Sequence, residues 1–143
     1  MSNSTAVSGK ASVITEVDYD RLSHLLGSPT YRANQPAALT ILKGELERRQ
    51  VVAAQRVPKG VVTMHTVVQV TDLEDDESET YTLVYPEEAS INEGKLSVLA
   101  PMGTALLGAR AGQVVKFNAP GGTRRLKVAR IVYQPEAAGD FHL

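Results

Sequence analysis

The hydrophobic period of this chain changes once, at the breaker Pro58-Lys59-Gly60, and that change constrains the fold more than any other feature. Before it, apolar residues recur at helical spacing. Tyr19, Leu22, Leu25 and Leu26 fall on one face, and Leu39, Leu42 and Leu46 make a second stripe flanked by Ile41. Residues three and four apart share one side of a helix, so each stripe predicts a buried face. After the breaker the period drops to two. Val62, Met64, Thr66, Val68 and Val70 alternate with Thr63, His65, Gln69 and Thr71, the pattern of a half-buried strand. Helices followed by strands imply an α+β protein rather than an alternating α/β one.

The punctuation places the elements. Thr15 or Asp18 can cap the first helix, which Gly27-Ser28-Pro29 ends. A polar connection runs to about Asn34, and Pro36 suits the first position of a second helix reaching roughly to Gln55. Gly44 weakens that helix by about 1 kcal/mol relative to Ala, while Glu45 and Arg49 form an i, i+4 pair. The two leucine faces predict an antiparallel helical hairpin, a short coiled coil, over residues 14–57. Its tip carries Ser28, Pro29, Thr30, Tyr31 and Arg32. Residues 1–13 are small and polar and read as a disordered tail.

From Val62 to Thr71 one long strand is expected. The acidic run from Asp72 to Glu79 then forms a solvated hairpin tip, and Tyr81, Leu83 and Tyr85 return on one face as far as Pro86. Leu96-Ser-Val-Leu99, Val114-Val-Lys-Phe117 and Leu126 to Tyr133 supply three more strands, with a bulge where alternation slips between Val128 and Ile131. Pro101 begins and Gly108 ends a short apolar helix that covers one face of this mostly antiparallel sheet.

Composition excludes several function classes. The chain has no cysteine, hence no disulfide and no thiolate nucleophile or metal ligand. No apolar run approaches transmembrane length and the N-terminus is not a secretion signal, which points to the cytoplasm. His24, His65 and His142 are scattered, and no catalytic, metal-binding or phosphate-binding motif surrounds them, so no cofactor or metal is expected. The net charge of −1 hides an asymmetry: nine carboxylates and no base from Asp72 to Glu93, then seven bases and no acid from Gly94 to Pro135. Such a balance disfavours direct nucleic-acid binding; it either reflects solvated strands and turns that neutralise each other across the sheet or orients docking on a charged partner.

A Pro-started Ala-Leu-Leu-Gly turn (Pro101–Gly108), a Val-Val strand and Ala-Pro-Gly-Gly122 before a strand ending in Tyr133 resemble, in that order, the C-terminal domain of the Gre transcript-cleavage factors. With Val61-Val-Thr-Met64 and Leu83-Val-Tyr-Pro86, the resemblance is nearest to the Gre-related Rnk family of nucleoside diphosphate kinase regulators. It implies an FKBP-like domain over residues 58–143 and RNA polymerase as partner, with nucleoside diphosphate kinase as the alternative. In the cleavage factors, carboxylates at the hairpin tip help hold a catalytic Mg²⁺ in the polymerase. This tip has Arg32 and no acid, so no cleavage activity is expected. The polymerase-gripping segment of that family maps to Leu99, Ala100, Pro101 and Met102. Leu99 and Ala100 stand where the cleavage factors have a polar residue and a serine, while the proline is kept. A prolyl isomerase, the enzymatic alternative for such a fold, needs an aromatic-walled pocket, and two Phe with no Trp furnish it poorly.

Overall fold

A computed structural model describes residues 12–141 of the chain. The tail expected over 1–13 falls, through residue 11, outside the described residues, as does His142. Val13 already belongs to a strand. β1 (Val13–Thr15) pairs in parallel with β2 (Gln50–Val52), tying both ends of the helical segment together at its base. Neither strand is legible in the sequence, because three residues are too few to display a two-residue period.

Between them lie three helices rather than two. α1 (Glu16–Leu26) is capped by Thr15, whose hydroxyl accepts the Asp18 N–H at 2.9 Å, which resolves the choice between the two caps. The connection expected to be irregular folds into α2 (Pro29–Asn34), with Ser28 at its N-cap and Pro29 in its first turn. α3 spans Pro36–Glu47 and stops well short of Gln55. Arg48 and Arg49 turn the chain, and Val51-Val52, β-branched and better suited to extended backbone, pass into β2. The expected Glu45–Arg49 pair forms at 2.8 Å, and Arg49 also donates to the Leu107 carbonyl at 2.7 Å, so the turn is fastened to the other half of the molecule.

The alternation from Val62 to Val70 predicts burial correctly and hydrogen bonding only in part. Val62, Met64, Thr66, Val68 and Val70 are all buried, yet the ladder strand β3 covers only Val67–Asp72. His65 adopts a left-handed conformation (φ 68°), and the N–H groups of Thr63 and Met64 are taken by the side chains of Thr66 and Asp18. A period of two records which way side chains point, not which strand lies alongside.

β3 and β4 (Ser78–Val84) form the antiparallel hairpin with the acidic turn at its tip. β5 (Lys95–Ser97) is parallel to β4, whereas β6 (Val114–Ala119) and β7 (Gly122–Tyr133) pair antiparallel, giving the order β5-β4-β3-β7-β6. The anticipated bulge is real. Val70 faces Val128 while Gln69 faces Arg130, leaving Ala129 over, and a second shift leaves out Val132. The short apolar helix is α4 (Pro101–Leu106), ended by Gly108 at φ 82°; α5 (Pro135–Ala138) was not anticipated. A five-stranded sheet, the two-stranded pair at the base and a set of helices make an α+β fold.

One hydrophobic cluster runs from Leu22, Leu39, Leu42 and Leu46 of the helices through Met64, just before β3, to Val68, Leu83 and Val128 of the sheet and Leu106 of α4. The leucine faces expected to pair within a hairpin therefore also form part of the sheet's core. α2 has no buried residue and touches the cluster only through the half-buried Tyr31. Among the described residues, no helix is long and apolar enough to cross a membrane.

Candidate partner-binding surfaces

The four residues expected to meet a partner open α4 and are held from behind. Ala100 is extended (φ −67°, ψ 146°) and its N–H donates to the Ser97 carbonyl at 3.0 Å, so Pro101 enters the first turn where its missing N–H is not needed. The buried Thr104 hydroxyl donates to the Val98 carbonyl at 2.5 Å, locking the turn onto the end of β5. Leu99 is only 4% exposed and belongs to the core. The surface offered here is therefore Pro101, exposed, between the half-buried Ala100 and Met102. Met102 also borders a shallow cavity of about 150 Å³ floored by Tyr81 and Leu126 and rimmed by Asp72 and Glu79.

The tip residues come together on α2. Ser28 accepts the Tyr31 N–H at a long 3.5 Å and the Arg32 N–H donates to the Ser28 carbonyl at 3.0 Å. Pro29, Thr30 and Arg32 are exposed, while Ser28 and Tyr31 are half-buried. No carboxylate occurs from Arg21 to Gly44, whereas Arg21, His24, Arg32 and Lys43 do. Among the described residues, no group of three or more metal-ligating side chains is gathered in one place, at the tip or elsewhere.

A third site joins α1 to the segments that flank β3 and β4. Asp18 is 2% exposed, its Oδ2 accepts the Met64 N–H at 3.1 Å, and the Tyr85 hydroxyl donates to Oδ1 at 3.4 Å. One side chain of α1 thus reaches both ends of the segment that frames β3 and β4. Beside it, His65 Nε2 lies 3.0 Å from Glu88 Oε1 and its ring stands 5.6 Å from that of Tyr85. The signal for Asp18 was available. It sits four and seven residues before Leu22 and Leu25, on the buried face, where a carboxylate must find a partner.

Burial pushes the Asp18 carboxyl up from 3.8 to about 6; the Met64 N–H and the nearby His65 oppose the shift and Glu136 adds to it. A carboxyl raised in the folded state favours folding most when protonated. Its contribution is therefore greatest below about pH 4, falls as pH rises to about 6, and is flat above, a total change of about 2–3 kcal/mol. Asp18→Asn keeps an acceptor for Met64 without the buried charge. It is expected to raise stability at pH 7.5 by about 1–2 kcal/mol and to flatten the slope between pH 4 and 6. Urea denaturation across that range measures both effects, and an unchanged slope in the variant sinks the assignment.

Comparison with known proteins matches both halves of this architecture. Residues 13–52, from β1 through β2, match the family model described as the Rnk N-terminus, and residues 57–133 match that of the transcription elongation factor GreA/GreB C-terminus. The regulator of nucleoside diphosphate kinase of Escherichia coli K12 is 42% identical over 132 residues, covering 92% of this chain and 96% of the relative. The chain belongs to the Rnk family. Within the wider Gre-like group, the transcription elongation factor GreA of Desulfotalea psychrophila is 38% identical over 105 residues, covering 73% of this chain and 62% of the relative. A solved GreA/GreB elongation factor from Nitrosomonas europaea is similar in fold, with a TM-score of 0.70 at 34% identity, covering 85% of this chain and 99% of the other. The Rnk-family match begins at Val13, the first residue of β1, so the β1–β2 pair at the base lies within the family's own N-terminal unit.

Proposed function

We propose that this protein is a non-catalytic transcription regulator that binds RNA polymerase beside the secondary channel and competes there with Gre-type factors without stimulating transcript cleavage. One observation carries the reading. α1 and α3, at 11 and 12 residues, are only about 17 and 18 Å long, and the α2 tip between them has no carboxylate. Helices that short, packed on the sheet's core and ending in a tip of that charge, occlude an entrance; they neither reach far into a channel nor deliver Mg²⁺, which requires hard oxygen ligands. The sheet with α4 supplies the FKBP-like grip, and Pro101 with Ala100 and Met102 supplies its contact. The site of action is the cytoplasm, with no direct sequence-specific binding to nucleic acid.

Competition for one site is governed by concentration over Kd. In a titration on core polymerase, the protein is expected to displace a Gre factor stoichiometrically and to add no transcript cleavage of its own. Failure to displace it overturns the reading. Pro101→Asp, at an exposed position, is expected to weaken polymerase binding by about tenfold or more, because it sets a charge in the apolar centre of the contact. The name of the Escherichia coli relative favours a second reading, an interaction module acting on nucleoside diphosphate kinase. Parallel pull-downs with purified kinase and core polymerase separate the two.

A further inference from the structure

The α2 tip is more than a blunt end. An open groove of about 660 Å³ runs between the end of α1 and the flank of α3, lined by Leu26, Arg32, Pro36, Leu39, Thr40 and Lys43. Its floor is aliphatic and both charges on its rim are positive. Arg32 and Lys43 are exposed, and neither has an ion-pair partner among the described residues. Arg48 and Arg49, at the far end of α3, instead share Glu45. The nearest carboxylates in sequence are Asp20 and Glu45, outside the groove lining. Two unneutralised cations around an apolar trough present a field complementary to acid.

We propose that this groove is a docking site for a carboxylate-bearing protein segment, an aliphatic side chain of the partner lying on Leu26 and Leu39 with Asp or Glu against Arg32 and Lys43. A nucleic-acid strand fits less well. No aromatic side chain lines the groove to stack a base, and two rim cations neutralise few phosphates. The inference rests on the polymerase reading and deepens it: the tip meets an acidic surface at the channel mouth while the α4 contact holds the protein from outside. A helical α2 turns Arg32 toward the trough beside Pro36.

Arg32→Glu with Lys43→Glu reverses the rim charge at two exposed positions, and Arg32→Gln with Lys43→Gln removes it; thermal melting monitors the fold of each. Binding to core polymerase, measured against salt beside Pro101→Asp, is expected to weaken about tenfold or more for the reversal and less for the neutral pair, with a shallower salt dependence in both. Reversed and wild-type proteins that bind polymerase equally, with the same salt slope, overturn the groove assignment and leave the polymerase reading standing. Wild-type protein that does not bind polymerase at all removes both. Binding of single-stranded RNA by the wild type, lost in the reversed variant, overturns the protein-segment assignment in favour of phosphate recognition.

Discussion

Gly103→Ala is expected to be among the most damaging single substitutions in this protein, destabilising it by about 3 kcal/mol or more. A Cβ at this position would lie 2.0 Å from the Ser97 carbonyl oxygen and 3.1 Å from the Val98 Cα. Both are backbone atoms at the end of β5, and neither can rotate away. The conflict is one of space, since Gly103 sits inside α4 with no left-handed φ. To accept a methyl group, α4 must back away from β5, which breaks the Thr104 to Val98 hydrogen bond and shifts Ala100, Pro101 and Met102 together. If the proposed polymerase contact is made through this turn, loss of stability in urea and loss of polymerase affinity should therefore appear in the same variant. A Gly103→Ala protein with wild-type stability means that α4 does not lie where it is described.

Leu42→Ala tests how the halves are joined. Leu42 has 0% exposure, on the inner face of α3, within the cluster that continues to Met64 and Leu106. Removing it is expected to cost about 3–4 kcal/mol, the transfer term plus the cavity left behind. Because the cluster is continuous, unfolding is expected to remain a single transition shifted to lower denaturant, with far-ultraviolet and tyrosine signals coincident. Two separated transitions would mean that the helices and the sheet fold independently, and the shared core would then contribute little to coupling them.

The parts of this fold that were legible from the residues are those governed by local chemistry. The period change at Pro58–Gly60, the Pro101–Gly108 helix, the acidic hairpin turn and the bulge in β7 all follow from side-chain direction and backbone preference within a few neighbours. The tip's lack of carboxylates is a bare fact of sequence. Elements that depend on distant partners escaped. The β-branched Val51 and Val52 hint that α3 ends early, but the contacts that fasten the turn, Arg49 to the Leu107 carbonyl and Gln50 to Ser12, leave no trace in the local pattern. β3 starts late because Asp18 and Thr66 take the backbone groups of Met64 and Thr63. Leu99 shows the same limit at the candidate contact: adjacency in sequence placed it beside Pro101, and only packing put it inside.

By itself, then, the order of residues determined that helices precede a sheet, that a proline-started turn presents Pro101, and that the helical tip is basic. Tertiary structure alone decided that the leucine faces share the sheet's core, that Asp18 finds its partners in Met64 and Tyr85 across the two parts, and that Arg32 and Lys43 border one groove. The reason is range. Propensity and periodicity act over one or two turns, whereas burial, charge pairing and grooves arise from residues that meet only after the chain has closed on itself.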